Sequence, residues 1–337
     1  MKQQAIVFTA PGRAELVEKP IPVPCPGQVV VQTAISTISS GTERANLVGE
    51  VNVGIYSYDT VAVFPRQSGY SSSGIVTAVG PGVTSVQVGD RVAMSWSLHQ
   101  QFNRLPEGQV YRLAPEVGFG EAALWHIATF PLAAIRKCRL EMGESALVMG
   151  QGVLGMMAVK LLRAAGAVPV AAADPVPEKR AQALRLGADG AFDPFAPDFA
   201  EQVKALTGGV RVAIEVTGVG AGLDGALDCM APMGRVALLG CTRHSDFSID
   251  YYHKVHGPGI SLIGAHTMAR PGTDSSSGLW TTRDDVGAIA ALVAGERLEF
   301  GSMVQEVHSP AEAPQVYGRL AAGNAFSLIQ FDWSRLS

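Results

Sequence analysis

Short runs rich in β-branched and other apolar residues fill the first third of the chain. Four of them, QQAIVFTA, GQVVVQTAISTI, SGIVTAVG and DRVAMSWS, are separated by proline and glycine clusters such as PIPVPCPG and VGPGV. Runs of this type are typical of β-strands, and the clusters between them are typical of turns. Residues 1–120 are therefore predicted to form an all-β, barrel-like module.

The pattern changes near Gly120, where amphipathic segments of helical length begin to alternate with short apolar runs. A helical pattern, GEAALWHIATFPLAAIRK, is followed by alternating strands and helices: ESALVMG, GVLGMMAVKLLRAAG, VPVAAAD, PEKRAQALRLG, VRVAIEVTG, GLDGALDCM and GRVALLG. Such alternation predicts a parallel sheet with helices on both faces. From about Pro271 the pattern is mixed again, with a helix TRDDVGAIAALVAGE and a final strand SLIQFDW. The domain boundaries are therefore predicted near residues 120 and 271.

The first strand–helix turn of the alternating region carries a G-x-G-x-x-G pattern at Gly150, Gly152 and Gly155. The first glycine permits a tight turn, the second lets the backbone approach a pyrophosphate, and the third lets helix and strand pack closely. Val153 and Leu154 open the helix, whose free N–H groups and positive dipole end would face the phosphates. The motif in this context predicts a dinucleotide site.

Asp174 ends the next strand, 19 residues after Gly155 (174 − 155). A carboxylate there would accept hydrogen bonds from a ribose diol and repel a 2′-phosphate, so NAD is favoured over NADP. Lys179 and Arg180 leave NADP as an alternative, because either side chain could pair with a phosphate.

Composition limits the other classes of function. The 337 residues exceed the usual size of one domain, and 47% hydrophobic with 17% charged residues is typical of an ordinary globular protein. A net charge of −4 without blocks of like charge predicts no nucleic-acid or membrane partner, and no apolar run reaches transmembrane length. We expect a cytoplasmic protein. The four cysteines form no C-x-x-C pair, which indicates neither a thiolate zinc site nor a disulfide framework.

Seven segments resemble, in order, the medium-chain dehydrogenase/reductase superfamily of zinc alcohol dehydrogenases and their zinc-free relatives: PGQVVVQTAIS, SGTER, GYSSSGIVTAVGPGVTSVQVGDRV, GQGVLG, LGAD, AIEVTG and GRVALLG. The resemblance implies an α/β fold. A GroES-like β-barrel catalytic domain would comprise residues 1–120 and 271–337, and a Rossmann doubly wound parallel sheet would comprise residues 121–270. Substrate and nicotinamide would bind in the cleft between them, and the protein would be a homodimer or homotetramer.

The positions that hold catalytic zinc in this superfamily carry other residues here. The resemblance aligns them with Ser40, Tyr70 and Trp125, whereas zinc prefers thiolate, imidazole or carboxylate donors. The four-cysteine lobe for a structural zinc is missing as well. We therefore predict no metal, and the sequence is similar to a zinc-lacking branch near the bacteriochlorophyllide hydroxyethyl dehydrogenase-like subgroup. Members of that branch are often associated with oxidation of sugars, cyclitols or secondary alcohols.

Catalysis without zinc needs donors that polarise a carbonyl, or a base that takes the alcohol proton. The resemblance places Thr42 at a hydroxyl proton-relay position, and it places Tyr70 and the smaller donor Ser40 in the cavity of the missing metal. His126 follows the third ligand position and is either catalytic or structural. These four residues are the catalytic candidates.

Other residues have a functional and a structural interpretation. The resemblance assigns five further residues to the cofactor site, namely Thr129, Thr217, Gly218, Gly240 and Cys241. Trp125 would either stack on a ring-shaped substrate or pack internally, and Glu43 with Arg44 would lie beneath the active site or form a solvated pair. We expect His99 to be exposed and His266 to be structural or adjacent to the cofactor. Three aromatic residues would either stack on a ring-shaped substrate, lie exposed or pack in the core, namely Tyr56, Tyr58 and Trp280.

The favoured function is an NAD(H)-dependent, zinc-independent oxidoreductase. It would interconvert a small secondary alcohol, such as a sugar, cyclitol or other polyol, and a ketone by hydride transfer. An NAD(P)H-dependent enone or quinone reductase is the alternative, which Asp174 disfavours. A dinucleotide-binding protein without catalysis is the third hypothesis.

Overall fold

The computed structural model describes residues 1–51, 61–243, 245–323 and 328–336. The chain divides into two units, a first unit of Met1–Ile127 with Glu299–Ser337 and a second unit of Ala128–Leu298. The strands are β1 (Lys2–Ala10), β2 (Arg13–Pro20), β3 (Gln28–Thr37), β4 (Ser71–Val79), β5 (Arg91–Ser95), β6 (Phe102–Pro106), β7 (Val110–Arg112), β8 (Ala146–Met149), β9 (Val170–Ala173), β10 (Gly190–Phe192), β11 (Val210–Glu215), β12 (Met230–Leu238), β13 (Ser261–Gly264), β14 (Glu306–His308) and β15 (Ile329–Asp332). The α-helices are α1 (Ser40–Val48), α2 (Phe119–Ala122), α3 (Trp125–Lys137), α4 (Val153–Ala164), α5 (Pro177–Arg185), α6 (Phe199–Thr207), α7 (Gly220–Asp228), α8 (Thr282–Ala294) and α9 (Ala313–Ala321).

The first unit is built on a seven-stranded sheet in the order β14-β15-β3-β4-β5-β7, with β6 paired to β3, and on the hairpin β1-β2. Its long strands pair in antiparallel fashion, as in β3 with β4 and β4 with β5. Alternate residues of these strands are buried in one apolar core that includes Val29, Val31, Val76, Val92 and Met94. The pattern of β-branched residues therefore produced the predicted β module, because one face of each strand is covered.

The second unit contains a six-stranded sheet in the order β10-β9-β8-β11-β12-β13, in which every pairing is parallel. All four residues of β8 and of β9 are buried, as expected for strands covered on both faces. The strand order reverses between β8 and β11, which is where doubly wound sheets bind ligands. The predicted α/β class is confirmed.

The unit boundaries lie later in the chain than predicted, within α3 at residues 127/128 and after α8 at residues 298/299. The segment after residue 271 belongs to the second unit because buried Asp285 of α8 binds two cations of that unit. Its carboxylate lies 2.7 Å from Arg136 Nε and 3.4 Å from Arg270 Nη1. The helix predicted from Gly120 is two helices, α2 and α3. Among the described residues, no helix has the length and apolar character needed to cross a membrane.

Candidate active site

Tyr70 directly precedes β4, and its phenol donates a hydrogen bond to Ser39 Oγ. The Tyr70 carbonyl accepts a hydrogen bond from Trp96 N at 2.8 Å. Ser39 is the N-cap residue of α1, so the acceptor of the phenol proton is held at a helix start. This contact is the central polar feature of the candidate site in the first unit.

Three aromatic rings surround that contact, and we call Tyr70, Trp96 and His126 the aromatic cluster. The Trp96 and His126 centroids lie 4.8 Å apart, and the Tyr70 centroid lies 6.0 Å from His126 and 6.1 Å from Trp96. Edge-to-face and tilted contacts at these distances are favourable. Trp96 is 39% exposed and has a positive φ of 59°, which is uncommon for a bulky residue. Trp96 was not predicted as a site residue, because DRVAMSWS has the pattern of a continuing strand and no residue type in it indicates a left-handed backbone.

The other two catalytic candidates lie on α1. Ser40 is the first residue of the helix, and Thr42 lies two residues further on, with its carbonyl accepting a hydrogen bond from Asn46 Nδ2 at 3.0 Å. Both residues are half-buried. The structure thus brings Tyr70 and His126 into ring contact, and it places Ser40 and Thr42 in the helix that Ser39 caps.

The expectation that His99 is exposed is wrong, because the residue is 1% exposed. Its Nε2 lies 3.1 Å from Glu43 Oε2, and its Nδ1 lies 2.8 Å from Ser36 Oγ. The ring also packs against Gly69, where an added Cβ would lie 2.9 Å from His99 Cδ2. Glu43 is therefore a buried partner of His99, whereas Arg44 lies 3.9 Å from Glu50 and is partly exposed.

Trp125 is an interior residue with 1% of its surface exposed, which agrees with the packing interpretation. Its indole N–H donates to Glu121 Oε1 at 3.4 Å, and Glu121 Oε2 accepts from the N–H groups of Phe300 and Gly301. Burial raises the pKa of Glu121 above its usual value, while these hydrogen bonds oppose the shift.

The donors at the superfamily's ligand positions do not fit zinc. Ser40, Tyr70 and Trp125 offer a hydroxyl, a phenol and an indole N–H that is directed to Glu121. Zinc sites use thiolate, imidazole and carboxylate ligands. Within the described ranges, no three His, Cys, Asp or Glu side chains are grouped so that they could hold a metal ion.

In the second unit, the glycine turn between β8 and α4 has the geometry that a pyrophosphate needs. Gly150 has φ +97°, and a Cβ at Gly155 would lie 1.9 Å from Gly150 O, so helix and turn touch through backbone. A Cβ at Gly152 would meet nothing within 4 Å, and this exposed residue is the N-cap of α4. Val153 and Leu154 begin the helix beside this open space, so a dinucleotide fits the residues present.

Asp174 follows β9 and is buried beside the glycine turn. Its Oδ2 accepts a hydrogen bond from Gln151 N at 2.8 Å and its Oδ1 accepts one from Val176 N at 2.9 Å. Lys179 Nζ lies 3.8 Å from Oδ2, and Arg180 donates to the carbonyls of Asp174 and Pro175. Because each carboxylate oxygen has two lone pairs, Asp174 can still accept from a ribose. The two cations that could favour NADP are occupied by these contacts.

Replacement of Asp174 by alanine should weaken NADH binding more than NADPH binding, by about tenfold in the ratio of the two Kd values. The change removes acceptors for the ribose diol and frees Lys179 for a 2′-phosphate. Fluorescence titration of both cofactors measures the ratio. Glu178→Ala, which removes an exposed carboxylate in the same region, is the matched control. An unchanged ratio in Asp174→Ala would remove this residue from cofactor discrimination.

The remaining cofactor candidates lie mostly at the carboxyl ends of β11 and β12. Gly218 has φ +68°, and a Cβ at Gly240 would lie 2.3 Å from Gly218 N, so the two turns pack backbone to backbone. Thr217 and Cys241 are exposed there. Thr129 is buried in α3, and its carbonyl accepts a hydrogen bond from an Arg270 guanidinium at 2.8 Å.

Glu215 holds the turn after β11 and was not among the predicted site residues. Its carboxylate accepts hydrogen bonds from Thr217 N at 2.7 Å, from Thr217 Oγ1, and from Gly218 N at 3.2 Å. Burial nevertheless raises the pKa of Glu215 above its usual value. Glu215 could have been predicted as a site residue, because the segment AIEVTG places an acid at the carboxyl end of a predicted strand.

The raised pKa of Glu215 predicts a pH dependence of stability. The folded protein holds this proton more tightly than the unfolded chain does. Its contribution to stability is therefore fully present below the ordinary pKa of 4.5 and is lost as the pH rises through the raised folded value. In Glu215→Gln, the free energy of unfolding should fall less above pH 4.5 than in the unaltered protein, as measured by urea unfolding across pH. Glu201→Gln, at an exposed position of the second unit, should keep the original slope; equal slopes in all three proteins would contradict the prediction.

Two further candidates, His266 and Trp280, have contacts within the second unit. His266 is half-buried, its Nδ1 accepts from Met268 N at 3.2 Å, and burial followed by the charge of Lys137 lowers its pKa. The Arg136 guanidinium carbon lies over the Trp280 ring, 3.5 Å from its centroid. Tyr56 and Tyr58 lie outside the described residues.

A β module with a polar–aromatic site, together with a doubly wound sheet that has a pyrophosphate turn, defines the class of alcohol dehydrogenase-like oxidoreductases. The alcohol dehydrogenase GroES-like domain family matches residues 26–131, and the zinc-binding dehydrogenase family matches residues 153–275. L-threonine 3-dehydrogenase of Pyrococcus abyssi is 30% identical over 298 residues, which cover 78% of this chain and 82% of that protein. The chain belongs to the medium-chain dehydrogenase/reductase superfamily of the zinc alcohol dehydrogenase type.

Two further proteins are similar to this chain. D-guloside 3-dehydrogenase of Escherichia coli (strain K12) is 24% identical over 255 residues, which cover 74% of this chain and 72% of that protein. A structure from Sinorhizobium meliloti 1021 bound to NADP shares the fold with a TM-score of 0.81 and 21% identity, covering 98% of this chain and 99% of that one.

Proposed function

We propose that this protein is an NAD(H)-dependent, zinc-independent oxidoreductase that interconverts a secondary alcohol and a ketone. The observation that carries the proposal is the replacement of a metal-ligand position by Tyr70, whose phenol is hydrogen-bonded to Ser39 Oγ. A phenol oriented in this way can donate a proton to a substrate oxygen, and its phenolate can accept one. Zinc would otherwise manage the charge on that oxygen.

The chain's own residues would divide the work as follows. The glycine turn at α4 and Asp174 would hold NAD, which would supply the hydride acceptor when bound. During alcohol oxidation the phenolate form of Tyr70 would accept the hydroxyl proton as the carbon-bound hydride leaves the substrate, and during ketone reduction the phenol form would return the proton to the carbonyl oxygen. Ser39 fixes the phenol through its hydrogen bond, and the ring of His126 supports Tyr70 at its edge.

The aromatic cluster and the relatives support a substrate class. Trp96 presents a partly exposed ring beside Tyr70, and such a ring packs well on the C–H face of a cyclic polyol. Relatives whose names specify L-threonine or a D-guloside are consistent with oxidation of a substituted secondary alcohol. We propose a sugar-like or cyclitol-like substrate, and a cytoplasmic homodimer or homotetramer as the working form.

The test is a panel of substrates in the presence of a chelator, with turnover monitored by the absorbance of NADH. Secondary alcohols, cyclitols and glycosides are offered with NAD, and enones and quinones are offered with NADH. Chelator-resistant NADH formation from a polyol is the expected result. Turnover that the chelator abolishes would overturn zinc independence, and NADH consumption with enones or quinones alone would identify a reductase.

A further inference from the structure

A fully buried carboxylate that the proposed mechanism does not use lies in α1, four residues after Ser39. Glu43 has no exposed surface, and three donors converge on it. Ser39 N donates to Oε1 at 2.8 Å, His99 Nε2 lies 3.1 Å from Oε2, and the Tyr317 hydroxyl donates to Oε2 at 2.5 Å. Burying an acid costs stability unless its oxygens are satisfied, and these three contacts satisfy them.

The imidazole of His99 is fixed from its other side as well. Its Nδ1 lies 2.8 Å from Ser36 Oγ, and that oxygen accepts a hydrogen bond from Trp333 Nε1 at 2.9 Å. Both ring nitrogens therefore have partners, and the ring has one orientation. We call Glu43, His99, Tyr317 and Ser36 the Glu43 network.

The network reaches Tyr70 along two routes. Along the first, Glu43 accepts a hydrogen bond from Ser39 N, and Ser39 Oγ accepts a hydrogen bond from the Tyr70 phenol. Along the second, His99 N donates to Ser68 O at 3.1 Å, and the histidine packs against Gly69, the residue before Tyr70. The network thus fixes both the acceptor of the phenol and the backbone that carries it.

We propose that Glu43 is a positioning residue for Tyr70, with His99 as its partner. The inference deepens the proposed function and rests on it for the role of the phenol. A core of this kind needs no carboxylate for stability, since well-packed apolar residues often replace buried charged groups at no loss. The carboxylate instead fixes the geometry of Ser39. One of its oxygens accepts a hydrogen bond from Ser39 N while the other lies within hydrogen-bond distance of His99 Nε2, and an apolar side chain could make neither contact.

A double-mutant cycle between Glu43 and Tyr70 separates positioning from mere structure. Glu43→Gln keeps the size of the side chain but turns one acceptor into a donor. It should lower kcat by about tenfold, with KM and the Kd for NADH changed by less than about twofold. In the Tyr70→Phe background the same substitution should change kcat by less than about twofold, because the group it positions is gone. Equal fold-losses in both backgrounds would overturn the proposal.

Two further variants control the cycle. Glu121→Gln alters a half-buried carboxylate of the first unit that is hydrogen-bonded to Trp125, Phe300 and Gly301. Its fold-effect on kcat should be the same with and without Tyr70→Phe. His99→Gln keeps a donor toward Glu43 and should lose less activity than Glu43→Gln. If Glu43→Gln does not fold, His99→Gln takes its place in the cycle, with the same criterion.

A second readout keeps this proposal distinct from the proposed function. Denaturant midpoints of the same four proteins of the cycle need no substrate. If Glu43 acts on Tyr70 through Ser39, the midpoint shifts are non-additive, whereas a separate structural role gives additive shifts. Absence of turnover in the unaltered protein would sink the proposed function alone, and additive midpoints would sink the positioning role alone.

Discussion

Replacement of Tyr70 by phenylalanine is expected to lower kcat for alcohol oxidation by about 10²–10⁴-fold, the range typical of a lost general acid or base. The change removes one oxygen and keeps the ring that packs beside Trp96 and His126. The Kd for NADH should stay within about twofold, because the cofactor candidates belong to the second unit. Steady-state kinetics with the best alcohol of the panel and a fluorescence titration of NADH measure both quantities.

Tyr111→Phe is the matched control for this prediction. Tyr111 is a half-buried tyrosine of the first unit whose phenol oxygen accepts from Ser95 Oγ at 3.2 Å. Its loss of one hydroxyl should leave kcat within about threefold. Equal activity of Tyr70→Phe and the unaltered protein would show that another group manages the substrate proton. His126 would then be the next residue to replace, because its ring centroid lies 6.0 Å from that of Tyr70.

The second unit was largely predictable from local sequence. Its strands are short apolar runs that the sequence pattern identifies. The glycines of the turn are recognisable as well, because positions such as Gly155, which lies close to Gly150 O, have no room for a side chain. The strand order was not predicted, because right-handed crossovers allow more than one order of the strands in a doubly wound sheet. The helix α6 was missed because Phe199–Thr207 is short and lies between proline-rich and glycine-rich segments.

The candidate active site was less predictable, because its contacts join residues far apart in the chain. Helix α1 was missed since its buried residues are Glu43, Ala45 and Leu47, which do not form an apolar helical face. Glu43 can be buried because its carboxylate contacts His99, 56 residues away in the chain, and Tyr317, 274 residues away. The resemblance identified Tyr70, but neither pattern nor resemblance could place His99 inside or give Trp96 its positive φ.

Replacement of Asp285 by asparagine is expected to lower the free energy of unfolding by about 3 kcal/mol, the lower end for breaking a buried ion pair. The fully buried carboxylate lies 2.7 Å from Arg136 Nε and 3.4 Å from Arg270 Nη1, so asparagine leaves two guanidinium groups without their counter-charge. Loss of solvation on burial raises the pKa of Asp285, whereas the hydrogen bond and charge of Arg136 and the charge of Arg270 lower it. Asparagine avoids that loss, and we therefore expect the smaller value.

Urea unfolding of the full chain measures this change, with Asp274→Asn at an exposed position as the control. A loss below about 1 kcal/mol would place Asp285 among ordinary surface pairs and would contradict the structural role. The variant should also weaken NADH binding, because Asp285 holds Arg270, and Arg270 donates at 2.8 Å to the carbonyl of Thr129, a proposed cofactor residue. Reduced stability with an unchanged Kd for NADH would show that the ion pair fastens α8 to its unit without shaping the cofactor site.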